Sequence, residues 1–177
     1  MIILTGVAGA GKSMQGKILA DEHGYAWIST GEILRVLVTG KRRQEMLQGK
    51  LLSDDEMINL MDKVLELIDT KQEFVLDGFP RTVPQADWLL DQVHHGRFSL
   101  TAVIHLAASE EVVRERLLER GRLDDTEEAI AKRFSEYRET TLPIIDHLRQ
   151  EGANVCDIDA GQSPRDVHDT ILECVDL

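Results

Sequence analysis

Short apolar runs, each closed by turn residues, recur along the chain as IILTG, YAWIS, EFVLDG, TAVIHLA and ANVCDIDA. Each is too short for a helix, and most are rich in β-branched side chains that suit a buried, pleated surface, so each predicts a strand. Between them, apolar positions return at helical spacing over 12–23, 31–39, 42–49, 54–70, 83–94, 110–119, 126–151 and 164–175. Ser53 before three acids, Ser109 before two and Ser163 before Pro164 predict helix N-caps. A serine oxygen accepts from a free backbone N–H there, acids suit the positive end of the helix, and proline lacks an N–H that would go unpaired.

Strands alternating with helices imply an α/β fold: a five-stranded parallel sheet with helices on both faces, joined by right-handed crossovers. The 177 residues fit a single domain, 1–177, with a core of ordinary size. Three helical segments follow one another between residues 30 and 70 without a strand, which predicts an insertion standing off the sheet. Ligands of such sheets bind beyond the carboxyl ends of the strands.

Composition narrows the partners. Apolar residues make up 42% and charged residues 29%, with a net charge of −12, so binding to long nucleic acids or to anionic membranes is disfavoured. No apolar run approaches the ~20 residues that span a bilayer, and a strand begins at once with no basic stretch before it, so neither a membrane span nor a signal peptide is expected. Cys156 and Cys174 lack CxxC spacing and predict small buried thiols in a reducing cytoplasm. Arg114, Arg116, Arg120 and Arg122 nevertheless fall within nine residues, and Arg133 follows. A local arginine cluster in an acidic protein suits a small polyanion better than a polymer. Arg114 itself reads as part of a solvated helix face with i,i+4 ion pairs.

The first strand runs into Gly6-Val-Ala-Gly9-Ala10-Gly11-Lys12-Ser13, which matches the P-loop pattern G-x-x-x-x-G-K-[ST] with a strand before it and a helix after it. Glycines let backbone N–H groups approach phosphate oxygens. The helix start adds free N–H groups and the positive end of its dipole, Lys12 a cation, and Ser13 a hydroxyl directed to Mg²⁺. This indicates a nucleotide, not a reaction. Thr30 and Gly31 open the next helix with Arg35 one turn on, and the third strand ends at Asp77, followed by Gly78, Phe79, Pro80, Arg81 and Gln85. Asp77 suits Mg²⁺ held through water. Arg81 and Arg35 suit a second phosphate gripped by guanidinium forks, and Gln85 carries the donor and acceptor needed to read a purine edge.

GVAGAGKSMQ, ISTGEILR, QGKLLSD, LDGFPRTVPQAD and RLDDTEEAIAKRF, in this order, resemble the nucleoside monophosphate kinases, adenylate kinase above all, over essentially the whole chain. The resemblance implies a P-loop NTPase three-layer sandwich and reversible, Mg²⁺-dependent transfer between ATP and AMP. It implies a monophosphate-binding insertion at about 29–52 and a lid at about 119–125. Carried over by position, Gly9, Ala10, Gly11, Lys12, Ser13 and Met14 would wrap the ATP phosphates, with Arg116 and Gln162 at the adenine. Thr30, Arg35, Lys50, Leu51, Leu52, Gly78, Phe79, Pro80, Arg81 and Gln85 would hold AMP. Arg81, Arg120, Arg122 and Arg133 would converge with Lys12 on the transferred group, and Asp124 and Asp125 match an acid pair that orients arginines or hydrated Mg²⁺. The related UMP/CMP kinases usually differ at Thr30 and Gln85, which favours AMP. The resemblance also implies a cytoplasmic protein, and a monomer is the default expectation. The rival reading from another class is a P-loop regulatory protein without catalysis, but a pure binder has no need of converging arginines.

Three positions depart from the family. Ala8 replaces a usual proline, which predicts a less stiff loop. Ser13-Met14 replaces Gly-Thr, so a threonine hydroxyl is lost at Met14, whose backbone N–H remains and whose side chain is expected to pack on the core. Only Gly121 separates Arg120 from Arg122, where long forms carry a few dozen residues and often zinc. No structural zinc is expected, and so short a turn predicts some wasteful ATP hydrolysis. Elsewhere, His94 and His95 read as helix C-terminal residues, His105 as a core histidine, Asp54, Asp55 and Glu56 as helix-start acids, and Trp27 and Trp88 as packing residues.

Overall fold

In the computed structural model, which describes residues 1–40, 44, 52–122 and 125–177, the first apolar run becomes the central strand. β1 (Ile2–Thr5) pairs in parallel with β3 (Phe74–Asp77) on one side and β4 (Ala102–Ala107) on the other. β2 (Ala26–Ser29) lies outside β3, and β5 (Val155–Asp159) outside β4, giving the order β2-β3-β1-β4-β5. The crossovers hold α1 (Lys12–His23), α2 (Thr30–Leu37), α3 (Asp54–Leu65), α4 (Val83–His94), α5 (Glu110–Arg120), α6 (Glu127–Glu136) and α7 (Leu142–Gln150), and α8 (Pro164–Cys174) follows β5.

Helices cover both faces of the sheet, so successive strand residues enter different cores. Ile2 and Leu4 join Leu106, Leu117, Phe134 and Ile171 in one cluster. Ile3 points the other way, to Leu76, Leu89, Val103, Ile144 and Leu148. The predicted serine caps form: Ser53 makes a reciprocal capping box with Glu56, and Ser109 and Ser163 accept from Val112 and Asp166.

Three expectations are corrected. The single helix over 126–151 is broken by a π-helical turn, Tyr137–Thr141, between α6 and α7. Pro143 explains it: in a continuous α-helix its ring would clash with the Glu139 carbonyl, and no N–H would be there to bond it. The helix begun at Asp54 stops at Leu65, since Met57, Met61 and Leu65 are its buried residues and Leu67 beyond them is 84% exposed. The cysteines are neither separate nor fully buried: α8 returns alongside β5, their Cα atoms lie 6.5 Å apart, and Cys156 and Cys174 form a disulfide. Almost all of the helix expected over 42–49 falls outside the described residues. His105 is a buried strand histidine, and its ring nitrogens contact Asp157 and Tyr137. Among the described residues no helix is long and apolar enough to cross a membrane.

Candidate active site

β1 ends in the glycine loop, and α1 starts at Lys12 directly beyond it. Gly11, the N-cap, has φ of 100°, a left-handed conformation that glycine adopts without steric cost, and nothing lies within 4 Å of where its Cβ would stand. No side chain caps this helix start and no acid sits in its first turn, so none of α1's own side chains answers its positive end. That is an anion site by construction. Lys12 Nζ is folded back on the loop, donating to the Gly6 and Val7 carbonyls at 2.7 and 2.9 Å. Burial lowers its pKa from 10.5 to about 8, with the charges of Arg81 and Arg120 adding to the effect and Asp77 opposing it. Ser13 Oγ donates to Asp77 Oδ2 at 2.6 Å, at the tip of β3. Met14 corrects its expectation: its side chain is 47% exposed, and its N–H is taken by the Gly11 carbonyl at 3.0 Å.

On the β2–β3 side, the buried Thr30 hydroxyl lies 3.0 Å from the Gly78 carbonyl and 3.3 Å from that of Asp77, fastening the start of α2 to the end of β3. Gly78 has φ of 83°, and a Cβ there would stand 2.7 Å from Thr30 Oγ1 and 3.1 Å from Arg81 Nη2. The Phe79–Pro80 bond is cis, and the Phe79 ring is turned into the core, edge-on to Trp88. Arg81 Nε donates to the Gly78 carbonyl at 2.8 Å, which aims its guanidinium. Burial lowers the Arg81 pKa, as do the charges of Arg133 and Arg35, while Asp77 and Glu136 oppose it. Gln85 Oε1 accepts from the Arg81 backbone N–H at 2.8 Å, and its Nε2 donates to Asp54 Oδ1 at 2.7 Å. Leu52 is partly buried against the second core cluster. Lys50, Leu51 and Asp124 lie outside the described residues.

Arg120 at the end of α5, Arg133 on α6 and the backbone of Arg122 between them meet on one carboxylate. Arg120 grips Asp125 with two hydrogen bonds, at 2.6 and 2.9 Å; Arg133 Nη1 donates to it at 3.0 Å, and the Arg122 backbone N–H at 3.1 Å. Burial pushes the Asp125 carboxyl up, but these bonds outweigh it and hold it below the usual carboxylate range. Glu32 Oε1 accepts from Arg35 at 2.6 Å and lies 3.8 Å from Arg122 Nη2, linking α2 to the turn after α5. Arg116 Nη1 donates to the Ala160 carbonyl at 2.8 Å, just before the exposed Gln162. Arg114 belongs elsewhere, in an exposed two-bond pair with Glu127 on α6 and not in an i,i+4 pair.

Lys12, Arg81, Arg120 and Arg133 thus share one region at the carboxyl edge of the sheet, with Arg35 and Arg122 at its rim. Sequence reading missed Asp54 and Glu32. Asp54 looks like any first-turn acid, and its partners lie 28 and 31 residues away; Glu32 carries no motif of its own.

The adenylate kinase family model matches residues 4–153. Curated relatives agree along the chain. The adenylate kinase of Corynebacterium urealyticum is 39% identical, across 99% of this chain and 98% of its own length. That of Mycobacterium sp. (strain MCS) is 40% identical, across 85% and 86%, and that of Rhodopirellula baltica 37% identical, across 99% and 95%.

Proposed function

The chain belongs to the adenylate kinase family and is an ATP:AMP phosphotransferase, and from that premise we propose how its residues share the work. The open start of α1 and the loop Gly9–Met14, with Lys12, take the ATP phosphates, and Arg116 and Gln162 flank the ATP base. Thr30, Arg35, Lys50, Leu51, Leu52, Gly78–Arg81 and Gln85 hold AMP, Phe79 through its backbone. The insertion at about 29–52 and the minimal lid at about 119–125 bring the two nucleotides together, tail to tail. Arg81, Arg120, Arg122 and Arg133 surround the group in flight. The supporting observation is the clustering of Lys12, Arg81, Arg120 and Arg133, close enough that Arg81 and Arg120 depress the Lys12 pKa and Arg133 that of Arg81. Four cations this close, with Asp77 and Asp125 as the carboxylates beside them, suit a site that a phosphate is to join.

Ser13 and Asp77 offer hard oxygen ligands side by side, 2.6 Å apart, and among the described residues no cluster of three or more His, Cys, Asp or Glu competes for a metal. That donor set fits Mg²⁺ held through water and mainly by substrate phosphates. Ser13 and Asp77 would hold the ion, and it would supply positive charge to offset the charge that builds on the phosphates. No general base is required, because the AMP phosphate has a second pKa of about 6 and is already ionised at neutral pH. The protein aligns donor and acceptor in line and neutralises charge. At Met14 the family's threonine contact to phosphate is absent, a loss of about 1.5–3 kcal/mol at most, which slows turnover or weakens ATP binding without abolishing either. The enzyme works as a monomer on small substrates in the cytoplasm, where the Cys156–Cys174 bond meets a reducing thiol pool.

A coupled assay of ADP formation from ATP, run against AMP, dAMP, CMP and UMP, tests this reading. AMP is expected to be the best acceptor, and R81A, R120A, R122A and R133A to lose on the order of 10³-fold or more in kcat. Near-normal turnover in all four variants, or binding with no transfer to any acceptor, would refute it.

A further inference from the structure

We propose that Asp54 sets the base specificity of the monophosphate site by locking the side-chain amide of Gln85 in one orientation. The proposal rests on the reading that Gln85 faces the AMP base. A primary amide has two ends of nearly equal shape and opposite chemistry: its oxygen accepts, its NH₂ donates, and its neighbours decide which end points where. Here both neighbours are of one kind only. The Arg81 backbone N–H can only donate and lies 2.8 Å from Gln85 Oε1. The Asp54 carboxylate only accepts, and its Oδ1 lies 2.7 Å from Gln85 Nε2. Turned by half a rotation, the amide would set N–H against N–H and oxygen against carboxylate. Gln85 is 4% exposed, so little solvent is at hand to relieve either clash.

Asp54 is itself fixed. The same Oδ1 accepts from Thr82 Oγ1 at 2.6 Å, and Asp54 is the first residue of α3, directly after the Ser53 capping box. The carboxylate therefore carries the orientation of α3 into the floor of the site, and Gln85 is the part that reads it out.

Once both clamps are made, the amide keeps one free N–H and one free lone pair on oxygen. These form a donor–acceptor pair of fixed polarity. Adenine offers the complement, an amino donor beside the unprotonated N1. Hypoxanthine, the same ring with oxygen for the amino group, offers the reverse: an acceptor at O6 and a donor at N1. A free glutamine would turn over and read both, whereas a locked one reads only the amino form. The acceptor class so selected is a nucleoside monophosphate with an amino group beside an unprotonated ring nitrogen. Uracil, with the hypoxanthine pattern, is rejected for the same reason. Cytosine is not, so ring size must exclude it.

The test is the ratio of kcat/KM for AMP to that for inosine monophosphate, with ATP as donor, in the wild-type protein and in D54N, D54S and Q85L. An asparagine or serine at position 54 can donate or accept, which frees the amide to turn. D54N is expected to lower the ratio by about tenfold or more, with the change in KM of the monophosphates. D54S repeats the measurement should D54N fail to fold, as judged by its melting transition. Q85L removes the reader and is expected to lower the ratio as well. If Q85L lowers the ratio and the Asp54 variants leave it at the wild-type value, the lock is overturned while base reading by Gln85 stands. If Q85L leaves the ratio unmoved, Gln85 does not face the base and both fall. A parallel loss of activity on both monophosphates in the Asp54 variants marks a merely structural role and also overturns the proposal.

Discussion

At the scale of residues, two charged groups of the candidate site, Lys12 and Asp125, have shifted pKa values that yield measurable pH behaviour. Lys12 has its pKa lowered from 10.5 to about 8. In the folded chain its proton is therefore held less tightly than in the unfolded one, which destabilises the free protein at neutral pH and ceases to do so as pH rises from about 8 towards the ordinary value. Bound polyphosphate adds negative charge beside the ammonium and raises its pKa again. We predict that kcat/KM for ATP, which reports the free enzyme, falls as pH rises above about 8, while kcat persists to higher pH; coincident profiles between pH 6 and 10 would contradict this. Asp125 is the opposite case, a carboxylate whose pKa is depressed, chiefly by hydrogen bonds from Arg120 and Arg133 that overcome the effect of burial. Its contribution to stability is complete above the unfolded value of about 3.9 and is lost as pH falls through the folded one. Asp125→Asn removes the carboxylate that Arg120 and Arg133 share, so a loss of about 1.5–3 kcal/mol is expected at pH 7. Below about pH 4 the difference from wild type shrinks, because the unfolded carboxyl then takes up a proton that the folded one still refuses, and it vanishes only once pH has fallen below the depressed folded value. Urea midpoints at pH 7 and at acid pH measure both quantities.

At the scale of elements, local signals were read well and distant ones were not. α1 begins at Lys12 and ends at His23, as its spacing predicts, because Gly11 and Gly24, both with left-handed backbone, bound it at either end. The inner strands β1, β3 and β4 were legible since a parallel strand buried on both faces is largely apolar, and the edge strands β2 and β5 as short apolar runs closed by turn residues. The predicted helix over 126–151 hid a π turn, because apolar periodicity continues through it and only Pro143 marks the break. In the site, the glycine loop and the sequence from Asp77 to Gln85 were legible as motifs. The clamp of Asp54 on Gln85 and the joining of Cys156 to Cys174 were not, since each depends on where crossovers return the chain, which no local pattern encodes. Capping is the local signal whose worth is readily measured. Ser53 Oγ accepts from the Glu56 N–H, while Glu56 Oε2 accepts from that of Ser53 at 2.9 Å. Ser53→Ala therefore removes one side of the box and is expected to cost about 1 kcal/mol, which for a chain of this size lowers Tm by about 2–4 °C. Calorimetry showing an unchanged Tm would mean that α3 owes its start to packing alone.

At the scale of the whole molecule, a chain of net charge −12 has to receive two polyanions. Acids placed at random around the site would repel them, and at 0.1 M salt a charge is screened beyond about 10 Å, so the acids that matter are those in contact with the arginines. Asp125 serves the site, since it gathers Arg120 and Arg133 into one place. Glu32 differs in position and consequence. It is more than two-fifths exposed, and it joins Arg35 on α2 to Arg122 in the turn after α5, two arms that arrive from opposite sides of the sheet edge. On the proposed assignment of Arg35 and Arg122 to substrate phosphates, the Glu32 carboxylate has to be displaced first, so part of the intrinsic affinity goes into breaking this bridge. Exposed ion pairs are worth about 0.2–1 kcal/mol each. Glu32→Gln, which keeps the shape and removes the charge, is therefore expected to lower the KM for AMP by about two- to fivefold. The gain should be largest at low ionic strength, where the bridge is least screened, and should fade as salt is raised. Initial rates with AMP varied at two salt concentrations separate the possibilities: a KM that rises in the variant would make Glu32 a ligand of the substrate or a support for Arg35, and not a competitor for the arginines.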